Sequence, residues 1–303
     1  MVLVTGGNGV IGGQLTRLLL EKGFPVRIFG LPRPFVDAEL QRLGAVLRHG
    51  DITCSEDVDD AMRGVGTVYH LAALLSSPEN PARFRRINVE GTRQVLRAAA
   101  ARGAGHFIFV SSISVIYPRR NPYSASKFAA EEKVKRSSLP WTIARPCLVL
   151  GGAEHRAFLS IATRWPWLPL PRRGRACKRP LTALDLAEAL TRMENNPRCP
   201  GKTYSVGGSE TVSLRAMAEA EWERTGKSKP IFAVPLLPLR LLASAVEFAS
   251  RLLGKRLSWL CQQSLDGLVF DANPDIRGLR EDLDFVPAGF GEFSAEPSVA
   301  VAA

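Results

Sequence analysis

The first twelve residues, Met1-Val2-Leu3-Val4-Thr5-Gly6-Gly7-Asn8-Gly9-Val10-Ile11-Gly12, leave this chain few ways to fold. Val2, Leu3 and Val4 form an apolar run the length of one buried strand, and glycines follow at positions 6, 9 and 12. The segment Gln14 to Lys22 then sets Leu15, Leu18 and Leu19 at helical spacing, with Gly23 where a left-handed helix cap is expected. Strand, glycine turn and helix in that order bring a main chain against a pyrophosphate. One glycine turns the chain, one lets the backbone touch the phosphate, and one lets the helix pack on the strand. The helix N-terminus adds free N–H groups and the positive end of a dipole. The bland alternative is a glycine-rich turn without a ligand; the strand before it and the helix after it argue against that.

The same alternation continues. Pro25 to Phe29 reads as a second strand, Gly44 to Ile52 as a third ending at Asp51, and Thr67 to Ala73 as a fourth. Phe84 to Arg102 reads as one long helix and His106 to Val110 as a fifth strand, followed by Ser111 and Ser112. Such alternation implies a parallel sheet with helices on both faces. In dinucleotide-binding sheets an acid ending the second strand holds the ribose 2′-hydroxyl of NAD, whereas an arginine nearby suits the 2′-phosphate of NADP. Here that end is Phe29-Gly30-Leu31-Pro32-Arg33, with no acid and with Arg33 close by, so NADP is favoured over NAD.

Charge and cysteine usage narrow the partners. The net charge is +11, and the stretch from Arg156 to Arg179 carries seven basic residues and no acid. A phosphate-bearing ligand, an anionic membrane surface or a nucleic acid could each use it, but no nucleic-acid module is present. The five cysteines are scattered without a CxxC pair, and the four histidines have no metal-ligand spacing. With no basic or long apolar lead before Val2, a cytoplasmic protein with reduced thiols and no metal is expected. The apolar run Ile231 to Leu253 contains Pro235, Pro238, Arg240, Glu247 and Arg251, which rules out a spanning helix. It reads first as a core or pocket helix, and alternatively as an interfacial helix aided by Lys255 and Arg256.

The chemistry sits in Pro122-Tyr123-Ser124-Ala125-Ser126-Lys127, where Tyr123 and Lys127 are one helical turn apart on one face. A phenol titrating near 10 is a poor base at neutral pH, and a neighbouring cation favours its phenolate. The pair can therefore move a proton on or off an alcohol oxygen, which Ser112 could hydrogen-bond as well.

These segments, with His70-Leu71-Ala72-Ala73, Asn88-Val89-Glu90-Gly91-Thr92, Val110-Ser111-Ser112 and Arg145-Pro146, resemble the motif series of the extended short-chain dehydrogenase/reductase family, in its NAD-dependent epimerase/dehydratase branch. The resemblance implies a Rossmann-type doubly wound parallel sheet with a smaller C-terminal substrate-binding domain. It implies that Tyr123 is the acid/base, that Lys127 tunes it and holds the nicotinamide ribose, and that Ser112 orients the substrate oxygen. Gly6, Gly9, Gly12 and the Val10-Ile11 backbone would cradle the pyrophosphate, Asp51 and Ile52 flank the adenine, and Leu71, Ala72 and Ala73 line the way to the ribose. Asn88 would relay structure beneath the site, Pro146 would border the cofactor, and Arg179 would meet a substrate diphosphate. Ser112 and Tyr123 are only eleven apart and Pro118 follows Tyr117, departures from many sugar epimerases that bear on the substrate.

The expected division is a cofactor domain of 1–150 plus about 179–208, a substrate domain of about 151–178 and 209–295, and a loose tail of 296–303. The leading expectation is a nucleotide-sugar 4-epimerase or 4-ketoreductase, working as a homodimer on a small molecule. A hydroxysteroid-dehydrogenase-like reductase of an apolar ketone and a non-catalytic NAD(P)-binding assembly or sensor protein are the alternatives.

Overall fold

The computed structural model describes residues 1–257 and 260–294. Seven strands form its central sheet: β1 (Val2–Thr5), β2 (Val26–Gly30), β3 (Val46–His49), β4 (Thr67–His70), β5 (His106–Val110), β6 (Trp141–Pro146) and β7 (Lys202–Val206). Their order is β3-β2-β1-β4-β5-β6-β7, and every neighbouring pair is parallel. This is a Rossmann-type α/β sheet.

Alternation along the central strands fills both faces. On β5, Ile108 and Val110 enter one core with Leu15 and Leu19 of α1 (Val10–Glu21), whereas Phe107 and Phe109 enter the opposite core with Val95 and Val134. A strand buried on both faces is mostly apolar, which is why these strands read as near-continuous runs and not as alternating ones. On the first face α1 packs against the later helix Ala183–Thr191. Helices Pro34–Arg42 (α2), Ser55–Ala61 (α3), Thr92–Ala101 (α4) and Pro122–Lys135 (α5) follow β2, β3, β4 and β5. Gly23 ends α1 with φ +80°, as its position predicts.

The strand order reverses between β1 and β4. At such a switch point the connections leave in opposite directions and open a crevice at the carboxyl ends of the strands. The glycine turn, Leu71–Ala73 and Ser112 all emerge there.

Three details differ from the sequence expectation. The segment 84–102 is a short helix Ala82–Phe84, a π-helical stretch Arg85–Gly91 and then α4. The wide turn lets Asn88 bond the loop after β4 and brings Gly91 against Ile52, whose Cδ1 would lie 2.7 Å from any Cβ there. The segments near Leu181 and Tyr204 read in the sequence as the last strands of the sheet; Tyr204 lies in β7, whereas Leu181 makes only an isolated bridge to Val149. The apolar run near 231–253 becomes strand Ile231–Ala233 and helix α8 (Leu236–Leu252), but in that helix only Ala243 and Ser250 are buried. It is not a core helix, and the pocket is lined instead by the next helix, Gln262–Val269 (α9). For this numbering Ala183–Thr191 is α6 and Leu214–Arg224 is α7. Among the described residues no helix is long and apolar enough to cross a membrane.

Candidate active site

The glycine turn is built as a backbone cradle. Gly6 has φ +70°, and a Cβ on it would stand 3.1 Å from the Ala72 backbone. A Cβ on Gly12 would run into the Gly6 carbonyl oxygen. The Gly9 N–H bonds the Gly6 carbonyl at 2.9 Å, and no side chain caps α1 at Gly9. The first N–H groups of a helix lack partners within it, so Val10, Ile11 and Gly12 present donors at an uncapped positive end. A cradle that any Cβ would fill, opening onto an uncapped helix, fits the pyrophosphate of a dinucleotide.

A polar cluster braces the next turn. The buried Asp37 carboxylate accepts from Asn8 Nδ2 at 2.8 Å, from the Arg33 N–H at 2.7 Å and from His49 Nε2 at 3.0 Å. Burial alone would raise its pKa, but these bonds bring it below the ordinary carboxylate value. Asn8 also donates to the Leu31 carbonyl at 2.9 Å. The Arg33 side chain is exposed at the same turn. Asp51 is exposed and accepts from Thr53 N at 2.8 Å, and Ile52 is buried beneath it against Gly91.

One chain of hydrogen bonds runs from the glycine turn to the tyrosine helix. The Ala72 N–H donates to Thr5 Oγ1 at 3.2 Å, and Thr5 Oγ1 lies 2.7 Å from His70 Nδ1. His70 Nε2 is 2.9 Å from Thr92 Oγ1, which donates to the Asn88 carbonyl at 2.7 Å. That last bond uses the Thr92 proton, so His70 carries its hydrogen on Nε2 and accepts at Nδ1. Asn88 exchanges two bonds with the Leu74 main chain and donates to Ser126 Oγ at 2.9 Å; Ser126 donates to the Tyr123 carbonyl at 2.7 Å. Leu71, Ala72 and Ala73 are thus clamped between the glycine turn and Asn88. Thr5 and His70 were not singled out by sequence, because their partners are 65 and 22 residues apart.

His70 is fully buried, and burial together with the Lys127 charge pushes its pKa down to about 3. The folded state therefore binds fewer protons than the unfolded state between about 3 and 6.5, and stability falls as pH drops through that window. Lowering pH from 6.5 to 5 should cost about 2 kcal/mol at this one site. Denaturant titrations at the two pH values check this, with His70→Asn expected to show the smaller difference.

Tyr123 and Lys127 are buried on α5, with the Tyr123 ring set edge-on to Phe84 at 6.1 Å. Lys127 Nζ donates to the Val110 carbonyl at 2.6 Å and lies 4.3 Å from the Phe109 ring centre. Burial lowers its pKa to about 7, opposed by the charge of Glu131. Glu131 is itself held by Arg145 in a bidentate pair of 2.9 and 2.6 Å, which fixes α5 to β6 just before the buried Pro146. Ser112, two residues beyond β5, caps the following turn, with its Oγ 2.9 Å from Ser114 Oγ.

Ser112, Ser114 and Tyr123 share one pocket with Ile113, Leu148, Phe158, Ile161, Leu214 and Leu268. Lys178 also lines it, donating to the Phe270 carbonyl at 2.6 Å. Arg179 is not part of this lining. Its guanidinium bonds Asn273 Oδ1 at 2.6 Å and the carbonyls of Gly208 and Ser209 at 3.2 and 2.9 Å.

The model of the NAD dependent epimerase/dehydratase family matches residues 2–207. The chain is 25% identical over 248 residues to the photosystem II assembly factor Ycf39 of Trieres chinensis, covering 82% of this chain and 76% of that one. It is 27% identical over 249 residues to the 2-alkyl-3-oxoalkanoate reductase of Stenotrophomonas maltophilia, covering 71% and 73%. Among solved structures, the UDP-glucose 4-epimerase of Thermotoga maritima superposes with a TM-score of 0.71 at 19% identity, covering 94% of this chain and 93% of that one, a likeness of fold alone.

Proposed function

Because the chain belongs to the NAD-dependent epimerase/dehydratase family, we propose that it interconverts a secondary alcohol and a ketone on an apolar, lipid-like substrate. The observation that carries this reading is the wall of Ile113, Leu148, Phe158, Ile161, Leu214 and Leu268 around Ser112 and Tyr123. A pocket dominated by apolar side chains with a few convergent polar groups suits an apolar ligand held by one reacting oxygen. The reductase named above, whose printed name gives an oxoalkanoate substrate, is in keeping with it.

Gly6, Gly9, Gly12 and the Val10-Ile11 amides would hold the pyrophosphate, Asp51 and Ile52 the adenine, and Leu71–Ala73 the ribose. Asn88 and Pro146 border the nicotinamide end. Bound there, a nicotinamide cofactor supplies or accepts a hydride. The Tyr123 phenol gives or takes the proton at the substrate oxygen, and the Ser112 hydroxyl donates a hydrogen bond to that same oxygen. The Lys127 ammonium stabilises the phenolate and holds the ribose. Residues 1–150 with 179–208 act as the cofactor part, and 151–178 with 209–295 as the substrate cover.

For the cofactor we favour NADP. Gly30 ends β2 where an acid would bind a 2′-hydroxyl and repel a 2′-phosphate, and Arg33 lies three residues on. A Cβ on Gly30 would meet nothing closer than Asn8 Oδ1 at 3.6 Å, so the position accepts a side chain. Gly30→Asp should move the ratio of NADP to NAD affinity by about tenfold or more toward NAD, the effect of one charge repulsion or one charged hydrogen bond. An unchanged ratio in a cofactor titration would remove Gly30 from the selection.

A nucleotide sugar is the second reading, and the cation of Lys178 in the pocket lining favours it. Thermal stabilisation by NAD, NADP, a steroid or long-chain ketone, and UDP- and dTDP-sugars separates the two. A shift with the ketone supports the apolar reading; a shift only with a nucleotide sugar replaces it.

A further inference from the structure

Helix α8 is amphipathic in the reverse sense for a surface helix. Two of its charged residues are turned to the protein: Arg240 bonds Asp266 Oδ1 at 3.0 Å and Gln262 Oε1 at 2.8 Å, and Glu247 accepts the Gln262 N–H at 2.8 Å. Its exposed side carries Leu237, Leu241, Phe248 and Leu252, each between 62% and 72% exposed, at the spacing of one helical stripe, with Leu242 beside it. At 17 residues it runs about 26 Å along the surface. Contiguous apolar surface of this kind marks an interaction site.

Two features say what it meets. Just before the helix, Phe232 stacks edge-on with Trp167 at 5.9 Å, and Trp167 with Trp165 at 5.7 Å; all three rings are exposed. Tryptophan clusters of this sort sit where hydrocarbon meets headgroups. In its last turn and just after it come Arg251, Lys255 and Arg256, all exposed, on a chain of net charge +11. That charge repels a second copy and attracts an anionic surface.

We propose that the outer face of α8 lies in the surface of an anionic phospholipid bilayer, with the Trp165, Trp167 and Phe232 rings at its edge. The opposite side of α8 packs on α9, which supplies Gln263, Ser264, Gly267 and Leu268 to the pocket, so one helix separates the pocket from the bilayer. The face stands whatever substrate the pocket takes.

Flotation of the full chain with vesicles tests it, using phosphatidylcholine alone and phosphatidylcholine with phosphatidylglycerol. The protein should float with the anionic vesicles, be released by high salt, and float far less with the neutral ones. A Leu241→Gln/Phe248→Gln/Leu252→Gln variant, altered only at exposed positions, should lose roughly tenfold or more in partitioning. It should keep the cofactor-induced melting shift of the parent, which shows that it is folded. Lys255→Glu should weaken binding to the anionic vesicles alone. The proposal is overturned if the parent binds neither vesicle, binds both equally, or binds no better than the triple variant. It is also overturned if light scattering finds a dimer that the triple substitution dissociates, since a second copy would then cover the face.

Discussion

Tyr123→Phe should reduce turnover by about 10²- to 10⁴-fold, the usual contribution of a positioned proton donor or acceptor. The ring remains, so its packing against Phe84 is kept, and neither the glycine cradle nor the apolar pocket wall loses an atom. Cofactor and substrate binding should therefore change little, and the loss should fall on kcat and on kcat/KM alike. Steady-state kinetics, with the melting shift on adding cofactor as control, check both parts. If the variant keeps full biological output, proton transfer at this tyrosine is not what the protein is for. A non-catalytic, cofactor-binding role would then become the better reading.

Gly12→Ala should abolish the cofactor-induced melting shift and destabilise the chain by about 1–3 kcal/mol, the range for forcing an extra carbon into a packed site. The added Cβ would strike the Gly6 carbonyl oxygen and come within 2.8 Å of Gly7 Cα. Both obstacles are backbone, so no rotamer change relieves them. The neighbouring Gly13→Ala is the contrast. There the nearest atom is Arg17 Nη1 at 3.3 Å, the end of a flexible side chain, and alanine is the better helix former. Gly13→Ala should leave cofactor binding intact and stability equal or slightly higher. The same fate for both variants in melting experiments would contradict the close-approach account of Gly12.

The parts of the molecule legible in the sequence are those whose cause is local. The glycine turn, the Tyr123–Lys127 spacing and the end of α1 at Gly23 each depend on residues within one turn of one another. Continuous apolar runs such as Phe107 to Val110 gave the sheet, because a strand covered on both faces has no polar side to keep. The bracing was not legible. Asp37 meets Asn8 and His49 across 29 and 12 residues, and His70 joins β1, β4 and α4 through two threonines. No periodicity announces such bonds. The π-helical turn at Asn88 was hidden for a different reason: a wide turn has the same composition as the helix it interrupts. Helix α8 misled because periodicity reports a face without saying which way it points. In the sequence its charges Arg240 and Glu247 served only to rule out a spanning helix, and the structure sets them against Gln262 and Asp266. Arg179 is similar, since its value to a diphosphate could be imagined from sequence while its three oxygen partners could not.

The central claim, an alcohol/ketone oxidoreductase with an apolar substrate, is tested most directly by following reduced-nicotinamide consumption. The assay sets a long-chain 3-oxo ester and a steroid ketone against UDP- and dTDP-4-keto sugars, with NADPH and NADH in parallel. The account predicts turnover of at least one apolar ketone, faster with NADPH, lost in Tyr123→Phe, and little or none with the sugar nucleotides. Turnover confined to a sugar nucleotide would contradict it.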